Sequence, residues 1–389
     1  MIQPMTPPMA QPLPETIGRP VRPVPSEPTR IGIVGLGNIS GAYLRALPSL
    51  ANLELTAVAD LDTARAEAVV VDRPGTRACT PDELYAADDV DIVLNLTIPA
   101  AHAEVDLAAV AAGKHAYGEK PLALSTADAR EVLDAAAAAG VHIGCAPDTV
   151  LGTGVQTARA VVDDGEIGAP LAATAFMTTP GHERWHPDPE FYYRPGGGPL
   201  LDMGPYYLSA LVTILGPVAR VIGLTSRPQD VRQIHSGPRA GTDFAVEVPT
   251  HVTGVLEHES GALSTLVLSF DIWAAQLPRI EIYGRSGSVS VPDPNGFDGP
   301  VQMYSAGTGV WSDVAVRAGY GGASRGFGLS EMASAVRAGR EPRASGALAF
   351  HVLDVMEQLL HAGATGTAAD VTSTCGRPLP VRFGSSPAE

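Results

Sequence analysis

The residues with the greatest chemical reach stand together in Tyr117-Gly118-Glu119-Lys120-Pro121. A lysine beside a glutamate, at the end of a short apolar run and just ahead of a proline, is held on stiff backbone. Its ammonium can hold an alkoxide or lower the pKa of a neighbouring acid. Pro121 removes an N–H and makes a cis bond accessible in a sharp turn, so a cis Lys120-Pro121 bond is expected. Taken alone the pentapeptide reads more readily as a surface ion pair at a strand end; its context changes that reading.

A second stretch is Gly196-Gly197-Gly198-Pro199-Leu200-Leu201-Asp202-Met203-Gly204-Pro205-Tyr206-Tyr207, which runs into an apolar helix ending at Leu215. Glycines ahead of a helix permit close approach of a ligand to backbone, and Asp202 and Tyr206, one turn apart, point to one side. The plainer alternative is an Asp N-cap followed by core aromatics. Upstream, His182-Glu183-Arg184-Trp185-His186 spells H-E-x-x-H. That zinc pattern works only on a helix with both imidazoles on one face, and Pro180-Gly181 before it with Pro187-Asp188-Pro189 after it leaves no room for one. No metal is expected. His182, Trp185, His186, Tyr192 and Tyr193 read instead as sugar-facing side chains, with rings covering C–H faces and polar tips binding hydroxyls. A packed loop is the alternative for each.

These groups need elements to position them. Arg30-Ile31-Gly32-Ile33-Val34 reads as a strand buried on both faces, followed by Gly35-Leu36-Gly37-Asn38-Ile39-Ser40 opening a helix. Glycines at that turn let a dinucleotide pyrophosphate approach backbone N–H groups, although Ser40 stands where the fingerprint has its third glycine. Asp60 ends the next strand, near the roughly 20-residue spacing at which a carboxylate binds both ribose hydroxyls. An Asp there repels a 2′-phosphate and Leu61 is not an arginine, so NAD is favoured over NADP. Further strands at 92–96, 115–117 and 141–145 alternate with helices at 63–71, 102–112 and 125–139, which indicates a parallel, doubly wound sheet. Thr97-Ile98-Pro99 forms the turn after one of them, and Asp148-Thr149 follows the last, at the domain junction. Beyond it, strand-like runs at 171–178, 218–224, 250–257, 263–273, 279–283 and 288–291 indicate a mainly antiparallel sheet with one open face, closed by helices at 328–337 and 347–361.

The expected class is therefore α/β: a dinucleotide-binding domain over 29–148, then an α+β substrate-binding and oligomerisation domain over 149–389, behind a disordered proline-rich tail over 1–28. The 389 residues suffice for two domains, and a formal net charge of −16 argues against nucleic acid or an anionic membrane as partner. Cys79, Cys145 and Cys375 match no metal spacing and read as free thiols of a reducing compartment. With neither a membrane-length apolar run nor a signal-peptide core, a cytoplasmic location is expected.

Taken together, the GxGxxS turn, the YGEKP stretch and GGGxxxDxGxY resemble the Gfo/Idh/MocA family of sugar and cyclitol dehydrogenases. The resemblance runs from about Thr29 to the C-terminus. It implies a catalytic Lys120, a Glu119 near the nicotinamide ribose, and cofactor contacts from Gly35, Gly37, Asn38, Ile39, Asp60, Thr97, Pro99 and His102. Many members carry a histidine at this position; here it is Tyr206, and the tyrosine resembles that of members similar to glucose–fructose oxidoreductase and dimeric dihydrodiol dehydrogenase. That moves the proton role to a phenol with pKa of about 10, which needs a cation to stabilise its anion, and Lys120 can supply one. Asp202 would orient Lys120 or bind a neighbouring hydroxyl, and Asp148, Thr149, His182, Trp185, His186 and Tyr193 would meet the substrate. The Asn often found after the TxP turn is Ala100 here. The expected activity is hydride transfer between a secondary alcohol of a sugar, cyclitol or glycoside and NAD, in a homo-oligomer formed through the C-terminal sheet. A glycosidase using NAD for transient oxidation and elimination, and a non-catalytic sensor of this fold, stay open.

Overall fold

The computed structural model describes residues 27–389, so the tail expected over 1–28 lies outside the described residues up to position 26. The first unit runs β1 (Thr29–Val34), α1 (Ser40–Ala46), β2 (Leu53–Ala59), α2 (Thr63–Val70), β3 (Arg77–Cys79), α3 (Pro81–Ala86), β4 (Ile92–Asn95), α4 (His102–Ala111), β5 (His115–Gly118), α5 (Thr126–Ala139) and β6 (Ile143–Cys145). Its sheet is parallel throughout, in the order β3-β2-β1-β4-β5-β6. Ile31, Ile33, Val58, Ile92 and Leu94 are buried because helices cover both faces. The order reverses between β1 and β4, and the crevice beyond the strands' carboxyl ends at such a reversal is where ligands bind. The glycine turn, the Thr97-Ile98-Pro99 turn and Glu119-Lys120 all lie there. β3 and α3 fill a stretch in which no element was expected. Three half-buried residues at a sheet edge make no apolar run, whereas α3 announces itself by a capping box of Thr80 with Glu83.

The second unit runs α6 (Thr153–Asp163), β7 (Pro170–Thr178), α7 (Gly198–Leu215), β8 (Val218–Ser226), β9 (Val231–Gln233), β10 (Asp243–Ala245), β11 (His251–His258), β12 (Leu263–Ser269), β13 (Ile280–Gly284), β14 (Gly287–Val291), β15 (Val301–Ser305), β16 (Val310–Val314), α8 (Phe327–Arg337), α9 (Gly346–Thr365) and β17 (Ala369–Asp370). Nine strands form one sheet in the order β16-β15-β14-β13-β7-β12-β11-β8-β17, antiparallel except for β7 with β12, and β9 pairs with β10 apart from it. α6, α7 and α9 pack on one face. On the other, Ile222, Leu224, Val255 and Leu263 stay exposed, with Ile222 directly opposite Val255.

The last part of the chain returns to the first unit. Gly144 bridges to Ser345, Asn52 donates to the Ser330 carbonyl at 2.9 Å, and the Glu357 carboxylate accepts from Thr126 N–H at 2.8 Å and its hydroxyl at 2.6 Å. The Lys120-Pro121 bond is cis, and so is Ala146-Pro147.

Candidate active site

On the nucleotide side, Gly35 has φ +94°, and a Cβ there would lie 2.7 Å from the Leu96 backbone, so glycine alone fits where β1 turns past β4. A Cβ at Gly37 would meet nothing within 4 Å; Gly37 and Asn38 are exposed and Ile39 half-buried. Among the described residues the N–H groups of Gly37, Asn38 and Ile39 have no protein acceptor, so this loop fits a pyrophosphate. The Asp60 carboxylate accepts from Leu36 N–H at 2.7 Å and Asp62 N–H at 2.9 Å, which fixes it at the end of β2. The N-cap of α2 is Asp62, so Asp60 is not spent on capping. Arg65, one turn into α2, lies 4.0 Å from Asp60.

Around the TxP turn, Asn95 Oδ1 accepts from the Thr97 N–H at 3.3 Å and hydroxyl at 2.7 Å, and Pro99 is exposed in a short turn. The Asn95 amide donates to buried Asp106 at 2.8 Å. His102 is buried, with Nδ1 2.6 Å from the Pro121 carbonyl and Nε2 3.1 Å from that of Thr97. It joins two loops of the crevice floor, and burial lowers its pKa. Glu119 accepts from the Tyr43 hydroxyl at 2.8 Å and the Lys120 N–H at 3.2 Å.

The Lys120 ammonium crosses to the second unit. It donates to the Asp202 main-chain carbonyl at 2.7 Å and carboxylate at 2.8 Å, and lies 5.4 Å from the centre of the Tyr206 ring. α7 begins at Gly198, so Asp202 stands inside the helix and is no cap; its other oxygen is 2.9 Å from His182 Nε2. An ionised carboxylate only accepts, so Nε2 carries the proton, and Nδ1 is buried without a partner among the described residues. Burial opposes both charges, yet each holds the other: Asp202 falls to about 2 and Lys120 rises above its ordinary value. Burial raises the Tyr206 pKa, against the pull of Lys120 and Arg325, so the free site presents a phenol.

The loop before α7 sorts its aromatics. His182–Arg184 is one 3-10 turn, with His182 against Trp185, Tyr192 and Phe270, while His186 Nδ1 accepts from Asp188 N–H at 3.0 Å. Trp185 is 59% exposed. Tyr193, expected to face sugar, is 0% exposed: its hydroxyl donates to Glu183 and accepts from His182 N–H at 3.1 Å, so it braces the loop from within. Its neighbour Tyr192 is the half-buried ring that shares the electrostatic surroundings of Asp202, Lys120 and Tyr206. The glycine run, expected to admit a ligand, admits the chain itself, since a Cβ at Gly197 would lie 2.6 Å from the Phe191 carbonyl.

Asp148 and Thr149, expected at the substrate, are fully buried. Asp148 accepts from Arg325 at 3.2 Å and from the Gly326 and Gly328 N–H groups at 3.1 Å each, and among the described residues the Thr149 hydroxyl has no partner. The residues missed from sequence are Tyr43 and Arg325. Tyr43 stands inside α1 with no motif around it, and Arg325 carried one weak signal, the glycines of Gly321-Gly322-Ala323-Ser324-Arg325-Gly326.

The model of an oxidoreductase family with a NAD-binding Rossmann fold matches residues 29–146, and that of the GFO/IDH/MocA C-terminal domain matches residues 155–290. The inositol 2-dehydrogenase of Klebsiella pneumoniae (strain 342) is 36% identical over 153 residues, a match covering 36% of this chain and 43% of that protein. The chain thus spans less than half the length of that relative. The 1,5-anhydro-D-fructose reductase of Ensifer adhaerens is 28% identical over 265 residues, covering 67% of this chain and 74% of that one. Among solved structures, a NAD binding oxidoreductase from Klebsiella pneumoniae superposes with TM-score 0.79 at 21% identity over 89% of this chain and 100% of its own. A levoglucosan dehydrogenase in complex with NADH and L-sorbose does so with TM-score 0.75 at 21% identity, over 89% and 99%. Two models of one family match successive parts of a chain that carries both of the domains they describe, so this protein belongs to the GFO/IDH/MocA oxidoreductase family.

Proposed function

We propose that this protein is an NAD-dependent dehydrogenase for a secondary alcohol of a neutral sugar, cyclitol or glycoside. The observation that carries the reading is the placement of the Lys120 ammonium, tied to Asp202 and beside the Tyr206 ring, at the mouth of the nucleotide crevice. The dinucleotide, when bound, supplies the hydride acceptor. The protein's part is the proton: the Tyr206 oxygen takes it from the substrate hydroxyl, and Lys120 steadies the negative charge on the reacting oxygens. Trp185 and Tyr192 offer ring faces for C–H surfaces, and His182 offers an edge beside Asp202. That Asp60 reaches the ribose and that NAD is preferred belong to the same reading.

Neutral substrate follows from charge pairing. Lys120 is matched by Asp202 and Arg325 by Asp148, and the remaining charge, Glu119, is negative. No cation of this cluster is free for a carboxylate or phosphate. The names of relatives acting on inositol and anhydrofructose point the same way. We also assign the open sheet face around Ile222 and Val255 to association with a second copy, which a mass measurement in solution would test.

The deciding experiment follows NADH absorbance across inositols, aldoses, glycosides and aldonic acids, with NAD and NADP. Turnover of neutral polyols with NAD, at least tenfold above the acids, is expected. Retained nucleotide with glycoside cleavage and no net NADH would replace this reading by the redox-neutral glycosidase; no reaction and tight sugar binding would replace it by a sensor.

A further inference from the structure

Two cations flank Tyr206, and they are not equivalent. Lys120 gives two of its three N–H groups to Asp202 and stands off the ring. Arg325 Nη2 donates to the Tyr206 oxygen itself at 3.1 Å, with the guanidinium carbon 5.6 Å from the centre of that ring and 5.5 Å from that of Phe297. Its Nη1 is held by Asp148, which is fully buried and fixed in turn by the Gly326 and Gly328 N–H groups. The segment is pinned further where Tyr320 N–H meets the Leu151 carbonyl at 3.0 Å. Arg325 comes from between β16 and α8, beyond residue 290 where the match to the family's C-terminal domain ends.

A guanidinium has no acceptor and keeps its proton at any working pH. The Tyr206 oxygen therefore accepts from Arg325, and its own O–H is left to point elsewhere. We propose that Arg325, clamped by Asp148, is the positioning residue that aims the Tyr206 hydroxyl at the substrate oxygen and supports the phenolate when the proton moves. This rests on Tyr206 being the acid–base group. In oxidation Tyr206 first gives its proton to solvent, a loss that the Arg325 charge favours; the substrate O–H then breaks as its proton joins the phenolate oxygen and the carbon's hydride leaves to the dinucleotide, with the Arg325 N–H staying in place. In reduction the same proton returns. The other ionisable groups around Tyr206 are Lys120 and Glu119 after β5, Asp202 on the same helix, and Tyr192 from the loop.

The test compares the full chain with Arg325→Met, Arg325→Lys, the double variant Arg325→Met/Asp148→Asn, and Tyr206→Phe. One readout is ultraviolet titration of tyrosinate without cofactor, with the Tyr206 signal isolated by subtracting the matching Tyr206→Phe chain. The other is the pH profile of kcat/KM for the polyol giving the strongest NADH signal. Without Arg325, the Tyr206 titration and the limb of the profile that reports it should move up by at least about one pH unit. Turnover should fall roughly 10–10³-fold, as expected when a charged donor to the reacting oxygen is lost. Arg325→Lys should fall between, and the double variant, which leaves no unpaired buried carboxylate, should show the same shift in a folded chain. An unmoved titration and limb in folded Arg325→Met, or loss confined to KM, overturns the assignment while leaving Tyr206 in place if Tyr206→Phe is inactive. Near-normal turnover of Tyr206→Phe overturns both.

Discussion

The two walls of the cleft are built by different rules. The nucleotide wall is made from main chain: the turn after β1, the turn after β4 and the end of β5 present N–H groups and carbonyls at neighbouring ends of one sheet. The opposite wall is made from side chains drawn from a loop, the interior of α7 and a segment more than a hundred residues further on, locked by the Lys120–Asp202 and Arg325–Asp148 pairs. A main-chain cradle survives most single substitutions. A side-chain network does not, because each charge was buried on the strength of its partner. Changes in the first wall should alter which nucleotide binds; changes in the second should alter whether the reaction runs.

The largest effect is expected at the second wall. Tyr206→Phe keeps the ring and removes the acid–base group, so kcat should drop by about 10²–10⁴ with NAD affinity little changed. Lys120→Ala should lose a comparable amount, and the double variant should be little worse than either single one if the two act as a unit. Multiplicative losses in steady-state kinetics would separate their roles.

Next comes the nucleotide wall. Asp60→Ser removes the carboxylate that would repel a 2′-phosphate and leaves Arg65, now 4.0 Å from Asp60, without that partner. The ratio of kcat/KM for NADP over NAD should rise at least tenfold, and Asp60→Ser/Leu61→Arg should raise it further. An unchanged ratio would remove Asp60 from the ribose site.

Within the loop, neighbours should part company. Trp185→Ala and Tyr192→Ala should raise KM more than they lower kcat, because such contacts bind ground and transition states alike. Tyr193→Phe should instead lower the melting temperature, since Glu183 and the His182 N–H lose a buried partner. A KM effect confined to Tyr193 would reverse this division.

The smallest effect concerns Asp106, which supports the TxP turn through Asn95 without reaching the cleft. Burial raises its pKa to about 7, against about 3.9 in an unfolded chain. The folded state therefore holds a proton that the unfolded state has released, and stability falls as pH rises from about 4 to 7. Asp106→Asn keeps an acceptor for Asn95 and removes that penalty. Its melting temperature should exceed the parent's by a few degrees above pH 7 and match it near pH 4, with kcat unchanged.

How much of this was legible beforehand follows from the same contrast. Alternating runs and their turn residues determined the parallel sheet, and the topology of such a sheet puts the ends of β1, β2, β4 and β5 in one crevice. Gly35, Gly37 and Asp60 were therefore readable from spacing, whereas Thr97 and Glu119-Lys120 drew their expected roles from the family resemblance. The one-turn separation of Asp202 and Tyr206 was readable for the same reason, since a helix carries its own geometry. What no local pattern encodes is which side of a loop faces inward. Tyr192 and Tyr193 are adjacent and chemically alike, and only the packing of Gly197 on the 191–192 backbone and the buried Glu183 decided that Tyr193 turns in. Asp148 likewise looked like a substrate contact until the returning chain brought Arg325 and two glycine N–H groups onto it. The sequence by itself determined the fold class and set Asp202 one helical turn from Tyr206, because these rest on periodicity and short-range spacing, while only the family resemblance joined Lys120 to that pair. Tertiary structure alone decided the roles of His182, Tyr193, Asp148 and Arg325, because a buried polar group takes its role from partners that folding brings in from far along the chain.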